Sequence, residues 1–76
     1  MDFFEDSYPL SSQFGKLVRE HRKRVGMTQS DLAFAVGVNR RVIGRLERGG
    51  GTVRLETALR AVRALGMQLE LGARER

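Results

Sequence analysis

The stretch MTQSDLAFAVGVNRRVIGRLE, residues 27–47, constrains this chain most, because small and apolar residues recur in it at helical spacing around one obligatory turn. With Gln29 as the first helical position, the small Ala33 falls at the fifth, where two crossing helices bring their backbones close. Gly37 falls at the ninth, where the chain must reverse and a positive φ costs nothing without a Cβ. Leu32, Val36, Val38, Ile43 and Leu46 supply the inward apolar positions. Independent positions thus agree on two short helices and a tight turn, the second helix rich in arginine.

That arrangement is the helix-turn-helix pattern, whose second helix lies in the DNA major groove. On the second helix, Ile43 and Leu46 define the buried side, while Arg41, Gly44, Arg45 and Arg48 fall on the opposite face. Arg40 sits at the first turn. Arginine suits guanine because its planar fork reaches O6 and N7 together. Arg41 and Arg45 are the expected base readers, Asn39 and Arg40 are expected at bases or phosphates, and Arg48 is expected at the backbone. Gln29 opens the earlier helix of this pair, where exposed N–H groups and the helix dipole favour a phosphate. Thr28 and Ser30 could add backbone contacts, and for Thr28 the helix cap is the better reading.

The rest of the chain supports these two helices. Residues 1–11 read as an N-terminal arm, since Pro9 disfavours helix at Tyr8 and no helical period is present. A first helix should begin near Ser11 or Ser12 and bury Phe14, Leu17, Val18, His21 and Val25, with Gly26 as its stop. Thr28 and Asp31 form an imperfect capping box, and Asn39 caps the arginine-rich helix, which runs to about Arg48. Gly49-Gly50-Gly51 lacks a lysine at P-loop spacing and reads as a linker. A further helix from about Leu55 to Leu65 places Leu55, Ala58, Leu59, Val62 and Leu65 on one face, with Gly66 as its stop. The period then changes. Met67, Leu69 and Leu71 alternate with Gln68 and Glu70, a half-buried strand pattern with no partner strand elsewhere in the chain. The same strand from a second copy, paired about a two-fold axis, satisfies it; a frayed tail is the alternative.

Charge distribution bears on what the chain binds. Residues 1–11 carry three acids and no base, residues 12–48 nine bases against three acids, and residues 49–76 five bases against three acids. The concentration of bases on the two-helix segment is what a phosphate-binding face requires. Glu47 is an acid within that segment; if the first helix crosses behind the arginine-rich one, Arg22 reaches it as a structural ion pair. His21, without a second strong ligand, makes no metal site. No nucleophile, base and acid can be assembled around it, so no enzyme and no cofactor are expected. With no cysteine, no membrane-length apolar run and an acidic N-terminus, the chain is expected to be an unprocessed cytoplasmic protein. At 76 residues the core is small, and a dimer interface is a natural supplement.

The segment TQSDLAFAVGVNRRVIGRLERGG resembles the helix-turn-helix of the lambda-repressor/Cro-like (XRE) family, with its Thr/Ser-Gln start, Leu-Ala pair, Gly-Val turn and Ile-x-x-Leu-Glu ending. The similarity continues upstream through LVREHRKRVG and downstream through LETALRAVRALGMQLEL, covering residues 12–71. The resemblance implies DNA contact by Gln29, base-facing Asn39, Arg40, Arg41 and Arg45, and an ion pair between Arg22 and Glu47. Gly44 departs from the family, which usually has serine, glutamate or a similar residue there; glycine costs the helix roughly 1 kcal/mol against alanine.

The layout of arm, domain and short terminal strand is similar to HipB-type antitoxins. That resemblance implies a bacterial homodimer that represses its own operon and binds a HipA-type kinase toxin. The expected fold is all-α, a lambda-repressor-like bundle of four to five helices with a C-terminal β-strand paired across a homodimer. Its parts are an arm (1–11), a DNA-binding domain (12–66, recognition helix about 39–48) and a dimerisation strand with tail (67–76). The expected ligand is an inverted-repeat duplex. An XRE repressor without a toxin, and an interaction module that no longer reads DNA, remain the alternatives.

Overall fold

The computed structural model describes residues 10–73 of the protein. Among these residues the regular elements are four helices: α1 (Leu10–Arg24), α2 (Gln29–Val36), α3 (Arg40–Glu47) and α4 (Leu55–Ala64). The arm expected over 1–11 lies outside the described residues except for its last two, Leu10 and Ser11, which belong to α1. Ser11 is held by tertiary structure: its hydroxyl donates to the Gly49 carbonyl at 2.8 Å, tying the start of α1 to the exit of α3.

The helix ends follow local chemistry. Thr28 Oγ1 accepts from the Asp31 N–H at 3.0 Å, and the Asp31 carboxylate accepts from the Thr28 N–H at 2.9 Å, so the capping box is complete. The bond from the Thr28 backbone, then that from its hydroxyl, holds the Asp31 carboxyl below its usual range. At the other end of α2, Gly37 adopts φ 84° and its N–H bonds the Ala33 carbonyl at 2.8 Å. This left-handed residue turns the chain into α3 within the space that the two-helix pattern demanded.

Val18, Leu32, Ala33, Val36, Ile43, Leu46, Ala61 and Leu65 form the core, with Phe14, Met27, Val38, Val53, Ala58 and Met67 packed around it. α3 packs against both α1 and α2, and α4 packs on α2.

Two helices are turned differently from their apolar periodicity. On α1 the buried line is Gly15, Val18 and Arg22, whereas Leu17 and Val25 are exposed. The reason is Gly15: a Cβ there would fall on the carbonyl oxygens of Leu46 and Glu47, so the two helix backbones meet at that residue. On α4, Thr57, Ala61, Val62 and Leu65 face inward, while Leu55 and Leu59 are exposed.

Residues 67–73 form no strand in the single chain. Met67 packs on the core, and its N–H bonds the Val62 carbonyl at 3.0 Å. Gln68, Leu69, Glu70 and Leu71 beyond it are exposed. A strand needs a neighbouring backbone to form a ladder, and the described part of this chain offers none. No helix among the described residues is long and apolar enough to cross a membrane.

Candidate nucleic-acid interface

The turn at Gly37 sets the outer face of α3 beside the N-terminus of α2. Between them lies an open cleft of about 240 Å³, lined by Gln29 from α2 and by Asn39, Arg40, Arg41, Gly44 and Arg48 from α3 and its ends. Three arginines therefore converge on a lining that holds no carboxylate. Asn39 has a local task as well, because its Oδ1 caps α3 by accepting from the Arg41 N–H at 2.7 Å. That bond leaves the Asn39 amide nitrogen for a ligand.

Arg45 stands apart from this group. It borders a neighbouring depression with Val42 and, from the loop before α4, Thr52, Val53 and Arg54. A Cβ at Gly50 would collide with the Arg45 side chain, so its aliphatic stem lies along the glycine linker. Arg54 thus shares a depression with Arg45. It lies beyond the basic segment of residues 12–48, and nothing local marked it as part of the site. Thr28 is engaged in its cap, and Ser30 is exposed beside Gln29.

Behind the cleft is a buried polar network that joins three helices. Arg22 Nε donates to Glu47 Oε2 at 2.6 Å and Arg22 Nη2 to Glu47 Oε1 at 3.1 Å, a two-pronged ion pair whose side chains are 8% and 2% exposed. Arg22 Nη1 donates to the Met27 carbonyl at 2.8 Å. Glu47 Oε1 also accepts from Gln29 Nε2 at 3.0 Å. Burial pushes the Glu47 carboxyl up; the bonds from Arg22 and Gln29, with the charges of Arg22 and Arg19, outweigh it and hold the group below its usual range. The Arg22 guanidinium is held above its ordinary value, chiefly by its bond to Glu47. Every polar side-chain atom fully buried among the described residues has a partner. The Gln29–Glu47 link was not legible in the sequence, since Gln29 there reads as a phosphate contact and nothing local shows its amide turned to the carboxylate already expected to pair with Arg22.

An exposed row of cationic forks on a short helix, backed by a fixed ion pair, suits a polyanion with planar acceptors. Among the described residues no cluster of His, Cys, Asp or Glu that could hold a metal ion is present.

Comparison with known proteins fits this geometry. Residues 18–71 match the family model described as helix-turn-helix. An uncharacterized HTH-type transcriptional regulator of Methanothermobacter thermautotrophicus is 50% identical over 52 residues, 68% of this chain and 75% of that protein. A second, from Archaeoglobus fulgidus, is 40% identical over 53 residues, 70% of this chain and 76% of its own length. Among solved structures, the restriction-modification controller protein C.AhdI from Aeromonas hydrophila superposes with a TM-score of 0.72 at 36% identity, covering 80% of this chain and 92% of that one. The solved structure of the MDT Protein gives a TM-score of 0.76 at 23% identity over 86% of this chain and 92% of its own, a likeness of fold.

Proposed function

The chain belongs to the XRE-type helix-turn-helix family of DNA-binding transcriptional regulators, and from that premise we propose that it acts as a homodimeric repressor reading an inverted-repeat operator. The observation that carries this reading is the convergence of Gln29, Asn39, Arg40 and Arg41 on one carboxylate-free cleft. In this reading Arg41 and Arg45 meet base edges, Asn39 and Arg40 meet bases or the adjoining backbone, and Gln29, Thr28 and Ser30 fix the domain on phosphates. Selection from random duplexes identifies the operator. Arg41→Ala should then relax preference at one base pair and lose about 1–3 kcal/mol on the operator. Equal losses on operator and random DNA would remove Arg41 from base reading. Weak binding that is insensitive to salt would instead favour an interaction module, because phosphate contacts release counterions.

One recognition helix makes too few contacts for specific repression, and a two-fold dimer doubles them. Leu55, Leu59, Leu69 and Leu71 support such a pairing: all four are exposed on α4 and the segment that follows it. Antiparallel pairing of residues Met67, Gln68, Leu69, Glu70 and Leu71 with their copies would supply the joint and set half-sites about 34–36 Å apart, or a multiple of that. Proline at Leu69 removes one ladder N–H. Sedimentation of Leu69→Pro should show monomer, with half-site binding surviving better than operator binding. A dimer with unchanged operator affinity would transfer the joint to Leu55 and Leu59 on α4.

The similarity to C.AhdI favours a regulator of a restriction–modification cassette over the HipB-like role of neutralising a HipA-type kinase toxin. The adjacent gene discriminates: a DNA methyltransferase or endonuclease supports the first, and a kinase-type toxin that co-purifies with this chain the second.

A further inference from the structure

Gly44 is a glycine in the middle of α3 with no backbone reason to be one. Its φ is not among the positive values of this chain. A Cβ there would meet no backbone of another element, unlike one at Gly15. What it would meet is Arg48: Nη1 lies 3.2 Å and Cζ 4.0 Å from the position of that Cβ, and Gln29 Oε1 lies 4.0 Å from it. Glycine is a poor helix former, so something other than helix stability is served here.

Arg41 and Arg48 are seven residues apart, and on a helix that brings them to within about 20° of one direction. They lie on one line facing out from the domain, separated along the axis by roughly 10 Å at the helical rise. At that distance the end of the helix meets a different part of the duplex from its start. The Arg48 guanidinium, however, lies back over Gly44, one turn toward the N-terminus, and joins Arg41 and Gln29 in a single cleft. Side chains on helices lean in that direction, and the missing Cβ leaves the room.

We infer that Arg48 is a specificity-determining residue that reads guanine O6 and N7, and that Gly44 is the positioning residue that seats its fork. The inference rests on the DNA-reading function proposed above and differs from the backbone role that the position of Arg48 at the end of α3 suggests.

The test uses the selected operator and measures affinity for all single-base changes with the full chain, Arg48→Ala, Arg48→Lys and Gly44→Ala. Arg48→Ala should lose about tenfold or more of the preference for guanine at one base pair while leaving the others unchanged. Arg48→Lys should keep the salt dependence and weaken that same preference, since an ammonium lacks the planar, pre-organised fork that matches O6 and N7. Gly44→Ala, which keeps both the charge and the helix, should reduce it measurably, because the added methyl displaces the Arg48 fork from its seat. Replacing that guanine by 7-deazaguanine should weaken the unaltered protein and leave Arg48→Ala unaffected.

A uniform loss on all sequences for Arg48→Ala, with the salt slope lowered by about one, would make Arg48 a phosphate contact and overturn the inference while leaving base reading by Arg41 intact. Unchanged preference in Gly44→Ala would remove the positioning role. An unaltered protein with no sequence preference at all would overturn both this inference and the function on which it rests.

Discussion

Gly15→Ala should lower the melting temperature by roughly 5–15 °C, and Gly15→Val should abolish the folding transition. The added Cβ is directed at two backbone carbonyls, those of Leu46 and Glu47, which cannot rotate aside. α1 must therefore lift away from α3, opening the contact that buries Val18 and Ile43. Overpacking of this kind typically costs about 1–3 kcal/mol, and more where the obstruction is main chain. Alanine returns roughly 1 kcal/mol of helix propensity, too little to reverse the sign. A domain of 76 residues has about 4–11 kcal/mol in total, and each kcal/mol moves its melting point by about 4–8 °C. Gly44→Ala is the internal comparison: it meets only movable side chains and should leave the melting point unchanged or raised. If Gly15→Ala melts no lower than Gly44→Ala, the close crossing of α1 and α3 is wrong.

A comparable loss is expected when the ion pair behind the cleft is halved. Glu47→Ala strands the Arg22 guanidinium, and Arg22→Ala strands the Glu47 carboxylate, each within a nearly closed site. Removing one partner of a buried pair typically costs about 3–5 kcal/mol, whereas removing both leaves no uncompensated charge. The double variant should therefore lose clearly less than the sum of the two single losses, and strict additivity in chemical denaturation would show that the side chains do not interact. Acid reports on the same pair. The folded protein holds the Glu47 carboxyl below its usual range, so the stability this supplies is fully present above the unfolded value of about 4.3 and is lost as pH falls through the lower folded value. Arg22, raised further above neutrality, contributes no slope in that window. The decline of melting temperature below about pH 4 should be shallower in Glu47→Ala than in the unaltered chain.

Apart from the Arg22–Glu47 pair, which the family resemblance implied, what could be read from the chain without coordinates divides along the range of the interactions. The caps at Thr28 and Asn39 and the turn at Gly37 depend on residues within a few positions, and each stands where the local pattern places it. The four helices follow from the same short-range signals. Which face of α1 turns inward does not, because Leu17 and Val25 repeat at helical spacing as well as Val18 does. The backbone crossing at Gly15 decides between them, and the one hint in the sequence was a glycine inside an otherwise regular helix. Leu55 and Leu59 fail for a related reason: α4 meets α2 along Ala61 and Leu65, leaving two leucines on its outer side. At the cleft, spacing grouped Arg41, Gly44, Arg45 and Arg48 on one face. It could not show that Arg45 turns toward the glycine linker while Arg48 leans back over Gly44.

The amide of Gln29 is anchored to Glu47 before any nucleic acid arrives. A free glutamine at the rim of an interface forfeits rotamer freedom at the moment of association, about 0.5–1.5 kcal/mol for such a side chain. In this protein the restriction is imposed during folding, through the carboxylate that also clasps Arg22. In the DNA-bound state proposed above, Gln29 would thus arrive already tethered. Freeing it by removing that acceptor, with Glu47→Ala measured well below the variant's melting point, should therefore appear as a larger entropic penalty of DNA binding in calorimetry, even where the contacts finally made are the same.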